Sequence, residues 1–262
     1  MKKEYVHTGQ CIWCKRRKPE VSFYSQPHII PKSAGGTEIG FDVCDDCNHF
    51  FGTAKRLPLN TNLVFKEFFH AASVILFDKY PDKRYETAYF QYNWAHNKVR
   101  LKRNLSISRF TEQLKRSLFE AFLQKYHKTF PDEPLDKFEA VRRYTRYGEG
   151  NLNVYYILNE AVLICDDDHK GIIPMNENCK QELEKTGYYT FIFMGYIIFL
   201  EVLPITSRLG GALSNLQKVA EKLIIHVNGT EAIYQLNDFR DLDMFFERLS
   251  AIDINPNHSL RI

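Results

Sequence analysis

Apolar and polar positions recur with different periods along this chain, and the changes of period mark out its elements. From Asn62 to Phe77 the apolar residues Leu63, Val64, Phe68, Ala71, Ala72, Ile75 and Leu76 form a stripe at helical spacing. Tyr85 to Leu101 alternates residue by residue, which predicts a hairpin turning at His96-Asn97. Amphipathic helices are predicted over Arg109–Phe122 and Leu135–Tyr147, the second ending at Gly148. Val154–Cys165 reads as a strand. The run from Gly187 to Leu200 reads as two buried strands joined at Met194-Gly195. It is too short to cross a bilayer, which takes about 20 apolar residues, and Glu201 ends it. A helix over Gly211–Leu223, a strand over Ile224–Val227 and a last helix over Asp238–Leu249 complete the pattern.

Ahead of Leu59 the periods are shorter. Val21–Tyr24, Pro27–Ile30 and Ile39–Val43 read as extended segments, with a turn at Gly35-Gly36. A helix is predicted to start near Cys47, capped by Asp45 or Asp46, and to run through Asn48, Phe50 and Phe51 until Gly52 loosens it and Pro58 closes the segment. The pattern as a whole predicts an α+β chain: a small strand–strand–helix core over residues 1–57 followed by a larger α+β domain over 58–262.

Composition alters this picture little. The 262 residues include 20 Phe and 15 Tyr, ample for an aromatic core, and the net charge of +3 neither requires nor excludes nucleic acid. Charge is uneven, however: Lys98, Arg100, Lys102, Arg103, Arg109, Lys115 and Arg116 gather against Glu112 alone. A solvated face and a duplex-gripping surface both fit such a run, and the same alternatives hold for Lys15, Arg16, Arg17 and Lys18. The N-terminus, Met-Lys-Lys-Glu-Tyr-Val-His, lacks the apolar stretch of a signal peptide, so a cytoplasmic location without membrane contact is expected.

In that compartment the six cysteines read as thiols or metal ligands rather than disulfides. Four of them form two Cys-x-x-Cys pairs, Cys11/Cys14 and Cys44/Cys47, the usual makings of a closed tetrahedral zinc site. The gap between the pairs exceeds the roughly 15–20 residues of a simple zinc ribbon, and His28 lies inside it. A segment of this size has too little core to fold unaided, which gives a structural metal a purpose. Trp13, inside the first pair, reads as packing over the metal turn. A redox role for the pairs lacks the surrounding βαβ pattern. Cys165-Asp166-Asp167-Asp168-His169 reads as a polar turn, and Cys179 stands alone.

The order Cys-x-x-Cys, His-Ile-Ile-Pro, Gly-Gly, Cys-x-x-Cys-Asn-x-x-x-Gly resembles the HNH endonucleases, the zinc-stabilised branch of the ββα-metal fold, over residues 11–57. The resemblance implies Cys11, Cys14, Cys44 and Cys47 as structural zinc ligands. It implies His28 as the general base that takes a proton from the attacking water, and Asn48 as a ligand of a catalytic divalent cation, Mg²⁺ or another. The implied activity is hydrolysis of DNA phosphodiester bonds, with 58–262 serving substrate grip, homo-oligomerisation or contact with a protein partner. Pro27 stands where the family carries an acidic metal ligand; Gln26, Asp42, Asp46 and His49 are the alternatives for that role. The family's middle Asn, which orients the base, has no clear match, and Glu38 and Asp42 are the nearest polar residues. A catalytically weakened zinc-bound nucleic-acid-binding module is the second reading.

Overall fold

The structure, a computed structural model, describes residues 2–52, 60–77, 88–93, 98–102, 105–158, 174–193, 196–203 and 233–243. In chain order the elements are helix α1 (Asp45–Gly52), helix α2 (Thr61–Phe77), strands β1 (Phe90–Asn93) and β2 (Lys98–Leu101), and helices α3 (Ile107–Thr129) and α4 (Glu139–Tyr147). Strand β3 (Val154–Leu158), helix α5 (Glu177–Thr186) and strands β4 (Tyr188–Phe193), β5 (Tyr196–Glu201) and β6 (Tyr234–Gln235) follow. The chain is α+β, as its periodicity predicts.

Helix α3 is the axis of the molecule. It begins two residues earlier than predicted and runs on to Thr129, stopping at Phe130 ahead of Pro131, which disfavours helical geometry in the residue before it. Its apolar side chains Phe110, Leu114, Leu118, Phe119, Phe122 and Tyr126 are fully buried. Helix α2 lies along one side, presenting Val64, Phe65, Phe68 and Phe69, with Asn60 capping it by accepting the Leu63 amide at 2.6 Å. Helix α4 lies along another, its Tyr144 ring edge-on to Phe119 at 5.5 Å between centroids. Its end is set as predicted, by Gly148 in the left-handed region at φ +71°.

The strands form a β1–β2 hairpin and a four-stranded antiparallel sheet in the order β4-β5-β3-β6. Alternation decides which side chains reach the core: Val154, Tyr156, Tyr189, Ile198 and Leu200 join the main cluster, whereas Ile157, Tyr188, Ile197 and Phe199 form a second cluster on the opposite face. The apolar run from Gly187 is therefore two strands buried on both faces. Among the described residues no helix is long and apolar enough to cross a membrane. The main cluster extends without a break from Cys11 to Leu242.

The N-terminal segment departs from expectation. Among the described residues its extended stretches form no regular strand ladder; they join through isolated bridges, Gln10 with Arg17 and His28 with Ile39, and through Tyr5, whose N–H donates to Phe23 O and whose carbonyl accepts from Asp42 N–H. Around His28 the pairing amounts to Gly40 N–H donating to Pro27 O at 2.7 Å and Ile29 N–H to Glu38 O at 3.0 Å. Pro27 and Pro31 have no N–H to extend the ladder. The turn at Gly35-Gly36 requires both glycines: Gly35 has φ +88°, and a Cβ on Gly36 would lie 2.0 Å from the Ile30 carbonyl oxygen. Asp45 does not act as the predicted cap either. It is the first residue of α1, and its carboxylate accepts from Ser22 Oγ at 2.5 Å and Ser25 N–H at 2.7 Å, fixing the loop that leads to His28.

Two members of the basic run are internal. Arg116 donates through Nε and Nη2 to Thr145 O at 2.9 and 2.7 Å, and Lys115 is buried against Tyr144. A helix enclosed on all sides must place some polar side chains inside, and these find carbonyls and rings as partners. Helix α5 is not among the predicted elements, although Asn176 caps it through the Cys179 amide at 2.9 Å and Gly187 ends it at φ +81°. The last predicted helix begins as a 3-10 turn, Phe239–Asp243. The predictions for His96-Asn97, 159–173, Met194-Gly195, 211–227 and 244–249 lie outside the described residues.

Asp42 ties the N-terminal segment to α3. It is fully buried, at φ +56°, and accepts from the amides of His7, Thr8 and Gly9 at 3.1, 2.9 and 3.0 Å, from Thr8 Oγ1 at 3.0 Å, and faces His127 Nε2 at 2.8 Å. Asp42→Asn keeps a side chain that tolerates this backbone while removing the charge. It should lower the unfolding free energy by about 3 kcal/mol, read from urea denaturation.

Glu120 on α3 is buried beside Thr61 Oγ1, at 2.8 Å, and Gln124 Nε2, at 3.2 Å. Burial raises its carboxyl to about 8. The folded chain then holds this proton up to pH 8 while the unfolded chain releases it near the ordinary value of about 4.5, so stability falls as pH rises between these two values. Glu120→Gln should flatten that slope, measured as unfolding midpoints from pH 4.5 to 8; an unchanged slope would assign the dependence elsewhere.

Candidate metal centre and active site

Cys11, Cys14, Cys44 and Cys47 bring their sulfurs within 4.8 Å of one another, and the sulfurs of Cys14 and Cys44 lie 3.7 Å apart. A tetrahedral zinc with Zn–S bonds of about 2.3 Å has an S···S edge of about 3.8 Å, so the donor set fits such an ion. The first knuckle is closed by Lys15 N–H donating to Cys11 O and Cys11 N–H to Arg16 O, both at 2.9 Å, with Lys15 in the left-handed region at φ +61°. The second knuckle is the entry to α1, where Asn48 N–H reaches Cys44 O at 2.9 Å. Trp13 is fully buried and meets the Phe51 ring edge-on at 5.0 Å, so it packs over the knuckle.

The thiols share their protons unevenly. Hydrogen bonding with Cys14 and the other sulfurs pushes the Cys11 thiol far above its usual range, and the same bond brings Cys14 down to about 6. Four thiolates this close ionise together only around a cation. Donors already point at the sulfurs: Cys44 N–H at Cys11 Sγ (3.4 Å), Arg16 Nε at Cys14 Sγ (3.5 Å) and Arg146 Nε at Cys47 Sγ (3.5 Å). The basic stretch after Cys14 is engaged locally: Lys15 with Glu139 at 2.9 Å, Arg16 with Asp46 at 2.6 Å, Arg17 with Gln10 at 3.1 Å, and Lys18 with Glu4.

His28 lies on the two-bond hairpin and is part-buried. Its Nδ1 is enclosed and has no hydrogen-bond partner among the described residues, which leaves Nε2 as the nitrogen open to a reactant. Burial first, then the charge of Lys32, holds the imidazole below its usual 6.5, so it is neutral at pH 7. Asn48, one residue past Cys47 on α1, donates through Nδ2 to Gln26 O at 3.3 Å. That bond ties α1 to the segment two residues ahead of His28, and it leaves Oδ1 as the amide's acceptor for a ligand.

Of the residues weighed as replacements at Pro27, Asp42 and Asp46 are engaged by other groups and Gln26 is held through its amide nitrogen. Asp42 serves the amides of residues 7–9 and His127; Asp46 pairs with Arg16; Gln26 Nε2 donates to Tyr5 Oη at 2.6 Å. His49 is exposed on α1. Glu38, considered for the orienting role, is held by Lys125 at 2.6 Å and Lys128 at 3.0 Å. Among the described residues the four cysteines are the one group of three or more Cys, His, Asp or Glu side chains arranged to hold a metal. Arg142 and Arg146, which grip the knuckles from α4, carry no sequence signal that distinguishes them from solvated arginines of an amphipathic helix.

No curated protein and no solved structure matches the chain. Residues 11–63, the segment that carries the four cysteines, His28 and Asn48, match the family model described as HNH endonuclease.

Proposed function

We propose that the chain is a metal-dependent endonuclease that hydrolyses phosphodiester bonds in DNA, its HNH segment braced by zinc on Cys11, Cys14, Cys44 and Cys47. The observation that carries the reading is the Asn48–Gln26 bond, which holds a carboxamide on the metal-braced helix beside the segment bearing a neutral imidazole. His28 accepts a proton from water at Nε2 as the water oxygen bonds to phosphorus; the bond from phosphorus to the 3′ oxygen then breaks, leaving a 5′-phosphate. Asn48 would hold, through Oδ1, a divalent cation such as Mg²⁺, whose contribution is to offset charge growing on the phosphate and the leaving oxygen. Among the described residues no group of three or more Cys, His, Asp or Glu side chains besides the four cysteines is arranged to hold a metal, so water and substrate phosphate would complete the shell around Asn48, as suits a hard cation.

The second reading, a zinc-braced module that binds nucleic acid without cutting it, is favoured by one observation: the His28 Nδ1 proton that would make Nε2 a base has no acceptor. Supercoiled plasmid incubated with Mg²⁺, Mn²⁺ or Ni²⁺ separates the two. Nicking or linearisation is expected, slowed about 100-fold or more by His28→Ala. Because the imidazole must be unprotonated and is held below 6.5, the rate should rise with pH along a limb centred below 6.5 and then level off. Equal cleavage by the variant would remove His28 as the base; salt-sensitive binding with no cleavage under any metal would establish the module.

Protein purified without chelator should contain about one zinc per chain by elemental analysis. Stripping it, or Cys47→Ser, should lower the thermal midpoint by roughly 10 °C or more. A metal-free chain of undiminished stability would refute the structural role.

A further inference from the structure

The zinc knuckles are gripped from outside the family-matching segment. Helix α4 turns one face, Glu139, Arg142 and Arg146, toward them, at spacings of three and four residues that align on a helix. Arg142 Nη1 donates to Trp13 O at 2.6 Å, inside the first knuckle, while its Nε is fixed by Glu139 at 2.8 Å. Glu139 also receives Lys15, next to Cys14, at 2.9 Å. One turn on, Arg146 donates from Nε to Cys47 Sγ at 3.5 Å, and its guanidinium lies over the Phe50 ring at 3.7 Å from the centroid. One arginine thus holds the backbone of the first knuckle and the other the sulfur and helix of the second. The opposite face of α4 is anchored on α3 by Val141, Tyr144 and the Arg116–Thr145 bonds.

We propose that α4 is a staple on the metal site: Arg146, with Arg142, retains zinc, and zinc in turn holds α4 in place. A guanidinium donating to a thiolate lowers that sulfur's charge and restrains it from leaving the ion, and stacking on Phe50 fixes the fork in place. Lysine has neither the planar fork nor the stacking face, so it does not substitute. Reciprocity follows from linkage, because whatever α4 adds to zinc affinity, zinc adds to the docking of α4. The proposal depends on zinc at the four cysteines and not on hydrolysis by His28.

The test is zinc release from the full-length, zinc-loaded chain into excess chromogenic chelator. Arg146→Lys and Arg142→Ala/Arg146→Ala should release zinc about 10–100-fold faster than the parent. Their circular dichroism when loaded should match the parent. In the parent, hydrogen exchange should show protection lost across Glu139–Tyr147 on zinc removal and kept in the β4–β5 pair. Parent-like release by Arg146→Lys, or protection of α4 unchanged by zinc removal, overturns the proposal even if the double variant does not fold. A parent chain that purifies without zinc overturns the metal reading and this proposal together.

Discussion

Four sulfurs held within 4.8 Å of one another are the constraint on which the N-terminal segment depends. Such a cluster is unfavourable without a cation, since bringing thiolates together costs Coulomb energy that only a metal offsets. Once that is met, the cluster joins residues far apart in sequence: the turn at Cys11–Cys14 meets the start of α1 at Cys44–Cys47. Trp13 is sealed against Phe51, and Asn48 is carried by the helix that starts between Cys44 and Cys47. A hairpin with two ladder bonds could not fix Asn48 relative to His28 by itself.

The cluster is not the sole fastening. Asp42 gathers three backbone amides from residues 7–9 and meets His127 on α3, so one buried anion organises the arm ahead of the first knuckle and joins it to the largest helix. The α4 arginines do the same for the knuckles, and the hydrophobic cluster runs unbroken from Cys11 into the sheet. Polar contacts set the position and apolar burial supplies the stability. An unpaired charge at Asp42 would be costly, which selects the native docking over a slipped one.

Much of this was legible in the chain, and the reasons for success and failure differ by residue. Periodicity places α2, α3 and α4 because each buries one coherent stripe, and the β4–β5 pair because its apolar run is buried on both faces. It stops short on α3 because Gln124 and His127 break the stripe while being buried, satisfied by groups remote in sequence. Arg116 and Lys115 read as surface for the same reason: composition cannot distinguish a charge facing water from one facing a carbonyl. Cysteine spacing is decisive for the four-sulfur cluster, since few other uses need two such pairs. Asp42, in contrast, looks like a hard-cation ligand until the amides that occupy it are seen. The signals for α5, an Asn cap and a closing glycine, are present, but its polar face gives no periodic stripe to connect them.

In the proposed reaction, Pro27 has two consequences of opposite sign. As a residue without a carboxylate it leaves the cation's charge less neutralised, which favours stronger polarisation of the bound phosphate but weaker retention before substrate arrives. As a residue without an N–H it ends the ladder at His28, with Pro31 ending it on the other side, so the imidazole is carried by a short, stiff span. That stiffness stands in for the absent hydrogen bond at Nδ1, since the ring's orientation must come from backbone and packing instead of a side-chain acceptor. Burial then does what a partner would otherwise oppose: a carboxylate at Nδ1 would raise the imidazole's proton affinity, whereas this enclosure lowers it. In that reaction the arrangement favours a base that is neutral at pH 7 but intrinsically weak, matched to a phosphate that an under-neutralised cation would polarise more strongly.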